Sequence, residues 1–129
     1  MKKSVIIVFV MLLAVMAAAC SKGNEIKKKA GDFDVVIVMD KNPPVTGQNE
    51  MNIRITDSSG KPVKDARVMV NYSMTAMSGM PAMNYTSNAV PEGNGYRAKT
   101  NYSMPGSWNH EIRITRDKDN LVTFTVDVR

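Results

Sequence analysis

Methionines recur at every third position in the middle of the chain, and their thioethers are its most unusual chemistry. The run Met-Thr-Ala-Met-Ser-Gly-Met-Pro-Ala-Met places them at Met74, Met77, Met80 and Met83. A thioether is a soft, neutral ligand of the kind that selects Cu(I), and it needs no deprotonation to bind. Because a glycine and a proline interrupt the run, one loop could fold several sulfurs around one ion. Cu(I) binding by Met77, Met80 and Met83 is therefore one hypothesis.

Two further side chains could join such a site. Met104 and His110, the only histidine of the chain, would add ligands if the fold brings the segment 104–108 beside the methionine run. However, His110 alternates with Trp108 and Ile112. That alternation favours a partly buried, hydrogen-bonded imidazole over a metal ligand.

The methionines also have two interpretations without a metal. Methionine is a flexible side chain that fills gaps in apolar surroundings, and Met74 shares its parity with Val70 and Tyr72, so we expect it in the core. The later methionines could cap one end of the core, or they could form an adaptable patch for a protein partner. The partner-contact residues would be Met77, Met80, Pro81, Met83 and Tyr85. We favour capping of the core or contact with a partner over metal binding as the role of these methionines.

Catalysis is poorly supported by the residues present. The chain has one cysteine and one histidine, and no Ser-His-acid set can be assembled from it. Glu92 and Glu111 show no pairing that would make one an acid and the other a base. The glycines at 93 and 95 precede a strand pattern and not a helix, so they do not form a phosphate-binding loop. We predict a protein that is not an enzyme.

Alternation of apolar and polar residues predicts the elements that position these side chains. A period of two is typical of half-buried strands, and it recurs at 51–56, 66–72, 96–102, 108–114 and 122–128, with a more continuous apolar run at 32–40. Turn residues separate the runs, most clearly at 57–62, Asp-Ser-Ser-Gly-Lys-Pro. These features predict an all-β, antiparallel immunoglobulin-like β-sandwich of about seven strands, with Trp108 in its core.

The N-terminus predicts export and a lipid anchor. Lys2 and Lys3 precede an uncharged apolar run at 5–19 that is short for a membrane span and typical of a signal peptide. The end of the run, Ala-Ala-Ala-Cys20, resembles the lipobox of bacterial lipoproteins, in which the cysteine is acylated. An ordinary secretory signal and a retained short anchor are the alternatives. The predicted organisation is a signal peptide at 1–19, a lipidated cysteine and polar tether at 20–31, and one domain at 32–129.

This organisation predicts a protein held in the cell envelope. It would lie at the periplasmic face of the outer or inner membrane, or at the cell surface, with the lipid membrane as its partner through acylated Cys20. Removal of the signal takes away Lys2 and Lys3 and lowers the net charge from +5 to +3. This mild excess of basic residues is spread along the chain, so it predicts no nucleic-acid site.

Several motifs together resemble a known family. After the strand pattern at 52–56, the segment 57–68 follows the pattern D-x-x-G-x-P-V-x-x-A-x-V. It is followed by the methionine run, by Gly95-Tyr96 and by a Pro-Gly-Ser-Trp sequence ending at Trp108. This series resembles the YtkA-like domain, which is related to the FixH family. The resemblance implies an immunoglobulin-like, extracytoplasmic domain similar to accessory parts of copper-efflux and oxidase-assembly systems.

The predicted function follows from the anchor, the resemblance and the methionines together. We expect a membrane-anchored, non-catalytic binding or accessory module of an envelope transport or metal-handling system, with the loop Met77–Met83 as its contact surface. An oxidase-assembly protein is another possible partner. The alternative is a lipoprotein that binds Cu(I) through methionine thioethers.

Overall fold

The computed structural model describes residues 25–129, so the predicted signal peptide and Cys20 lie outside the described part of the chain. Within residues 25–129 every regular element is a β-strand. The nine strands are β1 (Glu25–Ala30), β2 (Phe33–Met39), β3 (Gly47–Thr56), β4 (Arg67–Met74), β5 (Met83–Asn88), β6 (Val90–Glu92), β7 (Gly95–Tyr102), β8 (Gly106–Thr115) and β9 (Asp119–Val128).

The strands form two antiparallel sheets. The first has five strands in the order β1-β2-β3-β7-β6, and the second has four in the order β5-β4-β8-β9. The chain passes from the second sheet to the first at Ala89, whose backbone N–H still donates to the Val68 carbonyl at 2.9 Å. The all-β, antiparallel sandwich predicted from the alternation is therefore confirmed.

The core lies between the two sheets and contains the apolar half of each alternating strand. In β3, for example, Met51, Ile53 and Ile55 are buried while Asn52 and Arg54 between them are exposed. The predicted core positions of Met74 and Trp108 are confirmed, since both side chains are buried. One hydrophobic core collects residues from both sheets, as a small domain of this size requires.

Residues 25–30 differ from the predicted tether, because they form strand β1. This strand pairs with β2 along its whole length, from Glu25 opposite Val38 to Ala30 opposite Phe33. Only Ala30 of β1 is buried, and Ile26 packs partly against the core. An edge strand needs one partner and tolerates charged side chains, so the lysines that indicated a solvated tether also suit this strand. The folded domain therefore begins before residue 32.

Two more strands were absent from the prediction, so that together with β1 the number is nine and not about seven. These are β5, whose residues are all polar or half-exposed, and β6, which has only three exposed residues. Neither buries a full alternating face, so neither carries the period-two signal that marked the central strands. Both form through backbone pairing with one neighbour, β5 with β4 and β6 with β7.

The predicted turn at 57–62 is confirmed and is built around one carboxylate. Asp57 Oδ1 accepts hydrogen bonds from the Ser59 hydroxyl at 2.7 Å and from the backbone N–H groups of Ser59 and Lys61 at 2.9 and 3.0 Å. The bond from the Ser59 side chain is the main cause that lowers the pKa of Asp57. Gly60, with φ of +82°, closes the turn.

Candidate functional site

The four evenly spaced methionines form two cross-strand pairs in the hairpin that joins β4 to β5. Met74 lies opposite Met83 where the two strands end. Beyond them, Met77 and Met80 exchange two backbone hydrogen bonds of 3.0 and 2.9 Å. Gly79, the third residue of the turn, has φ of +79°, whereas the φ of Ser78 before it is not positive, and this combination is typical of a type II turn. We call the turn Met77–Met80 the methionine tip.

The methionine tip is an exposed and uncharged surface. Met77 is 51% exposed and Met80 is 37% exposed, whereas Met74 is buried. Residues that lie directly opposite each other in an antiparallel pair have Cβ atoms about 5 Å apart, with both side chains on the same side. No charged residue occurs between Arg67 and Glu92. Two flexible thioethers are therefore presented together, outside the core.

Met83 and Met104 lie in a different place from the tip. Met83 packs partly against the core, and its Sδ accepts a hydrogen bond from the Ser103 hydroxyl at 3.0 Å. Met104 is also partly buried, and its carbonyl accepts a bond from Trp108 Nε1 at 3.0 Å. The fold thus brings Ser103, the residue before the segment 104–108, into contact with Met83, so this segment begins close to one methionine of the run.

His110 is fully inside the sandwich, and both ring nitrogens have partners. Its Nε2 lies 2.7 Å from the Tyr102 hydroxyl and its Nδ1 lies 3.2 Å from the Trp108 carbonyl. A carbonyl oxygen only accepts, so Nδ1 carries the proton and Nε2 accepts the hydrogen bond from Tyr102. His110 is 2% exposed. The hydrogen-bonded, buried imidazole expected from the alternation is confirmed, and metal binding would require breaking one of these bonds.

Burial determines the protonation of this pair. Desolvation lowers the pKa of His110 to about 4, and the hydrogen bond from its ring to the Trp108 carbonyl opposes this only in part. Desolvation likewise raises the pKa of Tyr102 to about 12. At neutral pH both groups are uncharged, and the Tyr102–His110 bond joins the first sheet to the second as a neutral hydrogen bond.

A row of aromatic rings crosses the second sheet and links the hairpin to His110. Tyr85 stacks on Tyr72 at 5.5 Å between ring centroids, Tyr72 on His110 at 6.2 Å, and His110 on Phe124 at 4.8 Å. The outermost ring, Tyr85, remains 40% exposed. This row was not predicted from the sequence, because its members come from four strands in two hairpins, β4–β5 and β8–β9, that only the fold brings together. The sequence carried one indication, namely that Tyr72 and His110 each alternate with polar residues on the apolar side of a predicted strand.

The predicted site residues are therefore divided among three places. Met77 and Met80 are at the tip, Met83 and Met104 are half-buried at the corner beside Ser103, and His110 is buried. Of the predicted partner contacts, Met77, Met80, Pro81 and Tyr85 are exposed and Met83 is intermediate. Residues 25–129 contain no group of three or more His, Cys, Asp or Glu side chains placed to hold a metal ion. Only thioethers are left as soft ligands in the described region.

The methionine tip and the beginning of β1 lie at the same end of the sandwich. Gly106 is paired with Val128 and lies against the Met74 methyl group, which places the base of the tip beside the C-terminal strand end. A shallow groove at that end is lined by residues from three segments, namely Glu25, Ile26, Met39, Asn42, Pro43, Pro44, Val126, Asp127 and Arg129. Glu25, the first described residue, therefore lies at the end of the sandwich that carries the tip.

Comparison with known proteins gives one match. A family model described as YtkA-like matches residues 27–113, a stretch that contains the methionine tip, Tyr85 and His110. No curated protein and no solved structure matches the chain. The described residues include no helix that is long and apolar enough to cross a membrane.

Proposed function

Because the chain belongs to the YtkA-like family, we propose that it is a membrane-anchored, non-catalytic accessory module of an envelope transport or metal-handling system. The family match supports a small extracytoplasmic accessory module. The finer proposal is that the methionine tip, together with Tyr85, contacts a protein of that system. One observation carries it: Met77 and Met80 are held side by side at the end of a hairpin, with both side chains outside the core.

The chemistry of the tip suits protein contact. Burial of one methionine side chain stabilises a complex by roughly 1.5–3 kcal/mol before the cost of association. An unbranched thioether also adapts its shape to the partner surface. Tyr85 adds a half-exposed ring whose position is fixed by stacking on Tyr72. The two adaptable side chains of the tip and the fixed ring of Tyr85, five positions further along the hairpin, offer apolar surface without any charged group.

The anchor would place this surface near the membrane. Four residues lie between Cys20 and Glu25. The two are thus five steps apart, and an extended chain covers at most about 3.5 Å per step, or roughly 17 Å in all. If Cys20 is lipidated, the end of the sandwich that carries the tip therefore faces the bilayer at short range. A membrane-embedded partner fits this geometry better than a freely diffusing one.

The anchor has a direct test. We expect Cys20→Ala to release the protein from the membrane fraction and to abolish its labelling with radioactive palmitate, because Cys20 is the only thiol in the chain. Ser21→Ala is the matched control and should leave both unchanged. If Cys20→Ala protein is still labelled or remains in the membrane fraction, the lipid anchor is refuted.

Cu(I) binding is the second candidate, and one observation favours it. The hydrogen-bonded pair Met77 and Met80 has Cβ atoms about 5 Å apart, so both thioethers can reach one ion. Cu(I) accepts soft thioether ligands. The larger set of five ligands does not fit as well, because Met83 accepts a hydrogen bond from Ser103 and both His110 nitrogens are engaged.

Two double variants of the tip separate the candidates. Met77→Leu/Met80→Leu keeps the apolar surface and removes both sulfurs, whereas Met77→Ser/Met80→Ser removes both properties. A photoreactive residue at Ser78, between the two methionines, would report contact in intact cells. For the contact function, we expect one discrete adduct with an envelope transport or assembly protein in wild type and in the leucine variant, and none in the serine variant.

A control position for the photoreactive residue and a measurement of Cu(I) affinity complete this test. Ser58 is an exposed serine in the turn at the opposite end of the sandwich, and a photoreactive residue there should give no such adduct. Competition against a chromophoric Cu(I) chelator measures the alternative. If Cu(I) affinity falls tenfold or more in the leucine variant, the thioethers are ligands. If the adduct forms equally in the serine variant, the contact proposal is wrong.

A further inference from the structure

The outer edge of β5 differs from the other sheet edges within residues 25–129. A sheet edge exposes unpaired backbone groups, and proteins normally protect it with charge, proline, short length or a covering segment. The other edge strands show these devices: β1 carries Glu25 and three lysines, and β6 has three residues that include Pro91 and Glu92. The remaining edge strand, β9, carries Asp119 and Asp127 and lies beside β1.

β5 has none of these protective features. Its six residues, Met-Asn-Tyr-Thr-Ser-Asn, include no charge and no proline, and β4 pairs with it along its whole length. Its outward-facing residues are held in an ordered arrangement, because the Asn71 amide donates to Asn84 Oδ1 at 2.5 Å and to Thr86 Oγ1 at 3.3 Å. The strand is therefore uncharged, continuously paired on its inner side and ordered on its outward face.

From these features we propose that β5 pairs antiparallel with β5 of a second copy of the chain. The two four-stranded sheets would join into one sheet of eight strands about a two-fold axis, which is a closed arrangement. A register centred on Tyr85 places the two half-exposed Tyr85 rings opposite each other and Asn84 opposite Thr86 of the second copy. This site does not include the methionine tip, and the proposal does not depend on the contact function. The two surfaces share Tyr85, so in the dimer, contact with a partner protein would rest on Met77 and Met80.

Charge favours a second copy as the occupant. The chain carries a net charge of +5, or +3 without the predicted signal peptide, so two copies repel each other electrostatically. The segment between Arg67 and Glu92 carries no charge, and β5 lies inside it. Self-pairing there opposes asparagine with threonine and tyrosine with tyrosine, without like charges face to face. The same operation on β1 would bring two sets of Lys27–Lys29 together.

The consequence for the tips follows from the direction of the strands. β5 begins directly after the methionine tip, and antiparallel strands run in opposite directions. The two tips of the pair would therefore lie at opposite ends of the shared strands, so the dimer leaves both of them accessible.

Charge reversal tests the pairing in the full-length chain. Two differently tagged copies are expressed together, and one tag is used to capture the other. Wild type should be co-captured, and Asn84→Lys/Thr86→Lys should lose co-capture because it places lysines opposite lysines. Mixing this variant with Asn84→Glu/Thr86→Glu should restore it, since opposite charges then face each other.

Thr123→Lys/Thr125→Lys is the matched control. It adds the same charge to the exposed face of the same sheet on β9 and also removes a surface hydrogen bond, that from Thr125 to Asn109. It should be co-captured like wild type. Co-capture of the β5 lysine variant at the wild-type level, or failure of the lysine and glutamate variants to recover it together, would overturn the proposal.

Covalent trapping gives a second measurement that does not depend on charge. Tyr85→Cys should form a disulfide-linked dimer on oxidation with diamide, because the two residues lie opposite each other at the two-fold axis. The parent protein shows what Cys20 alone contributes, and Leu121→Cys, an exposed position on β9, should add nothing to that background. Equal dimer yields for the β5 and β9 cysteines would refute pairing through β5.

Discussion

Replacement of Trp108 by alanine is expected to lower the free energy of unfolding by about 3–5 kcal/mol, which is the range for large aromatic side chains removed from a core. Trp108 is completely buried. Its ring lies 5.3 Å from Tyr102 and 6.0 Å from Tyr72, between centroids, so it contacts rings of both sheets. Its Nε1–H also fixes the Met104 carbonyl. Alanine would remove all of these contacts and leave a cavity at the base of the methionine hairpin.

Two controls separate packing from the hydrogen bond. Trp108→Phe keeps much of the apolar volume and loses the bond to Met104, so we expect a smaller loss, about 1–3 kcal/mol. Leu121→Ala changes an exposed side chain on β9 and should change stability by less than about 0.5 kcal/mol. Urea denaturation followed by circular dichroism measures all three. A loss below 1 kcal/mol for Trp108→Ala would contradict the central position of this ring.

Mild acid is expected to destabilise the fold through His110. Burial lowers the pKa of His110 to about 4 in the folded protein, whereas the unfolded chain has a value near 6.5. Between these values the unfolded state binds the extra proton, so stability falls as the pH drops from about 6.5 to about 4. The stability that is lost through protonation of His110 is fully present above about pH 6.5. The difference between the two pKa values corresponds to a loss of roughly 3 kcal/mol in the free energy of unfolding, at about 1.4 kcal/mol per pKa unit.

A non-titrating variant isolates this effect. His110→Gln retains an acceptor for the Tyr102 hydroxyl and carries no ionisable ring. The carboxyl groups titrate in both proteins and cancel in the difference. Because His110 is the only histidine of the chain, the wild-type free energy of unfolding should fall relative to the variant across this window. Parallel pH profiles from 7 to 4 would show that His110 does not control acid stability.

The central strands could be predicted from the sequence, because their physics is local. A strand with one face in the core commonly alternates apolar and polar residues, and the runs around Ile53, Val70 and Ile112 do so. β2, which is also paired on both sides, was indicated instead by its continuous apolar run. Turn chemistry is also local, since Asp57 bonds backbone groups only two and four residues away. The buried positions of Met74 and Trp108 followed from the same alternation.

The edges and the site depended on the tertiary structure. An edge strand such as β1 or β5 is formed by backbone pairing with a neighbour, and its side chains need not alternate. The Tyr102–His110 bond joins two sheets. The positions of the two residues in the sequence do not reveal that their side chains meet.

The methionines depend on both the local sequence and the tertiary structure. Their types and spacing are explicit in the sequence and identify the chemistry. Their grouping depends on strand register, since the turn between Met77 and Met80 pairs those two outside the core while Met83 packs at its margin. The sequence by itself determined which side chains are available, and only the fold decided which of them are exposed together, because exposure depends on contacts between strands distant along the chain.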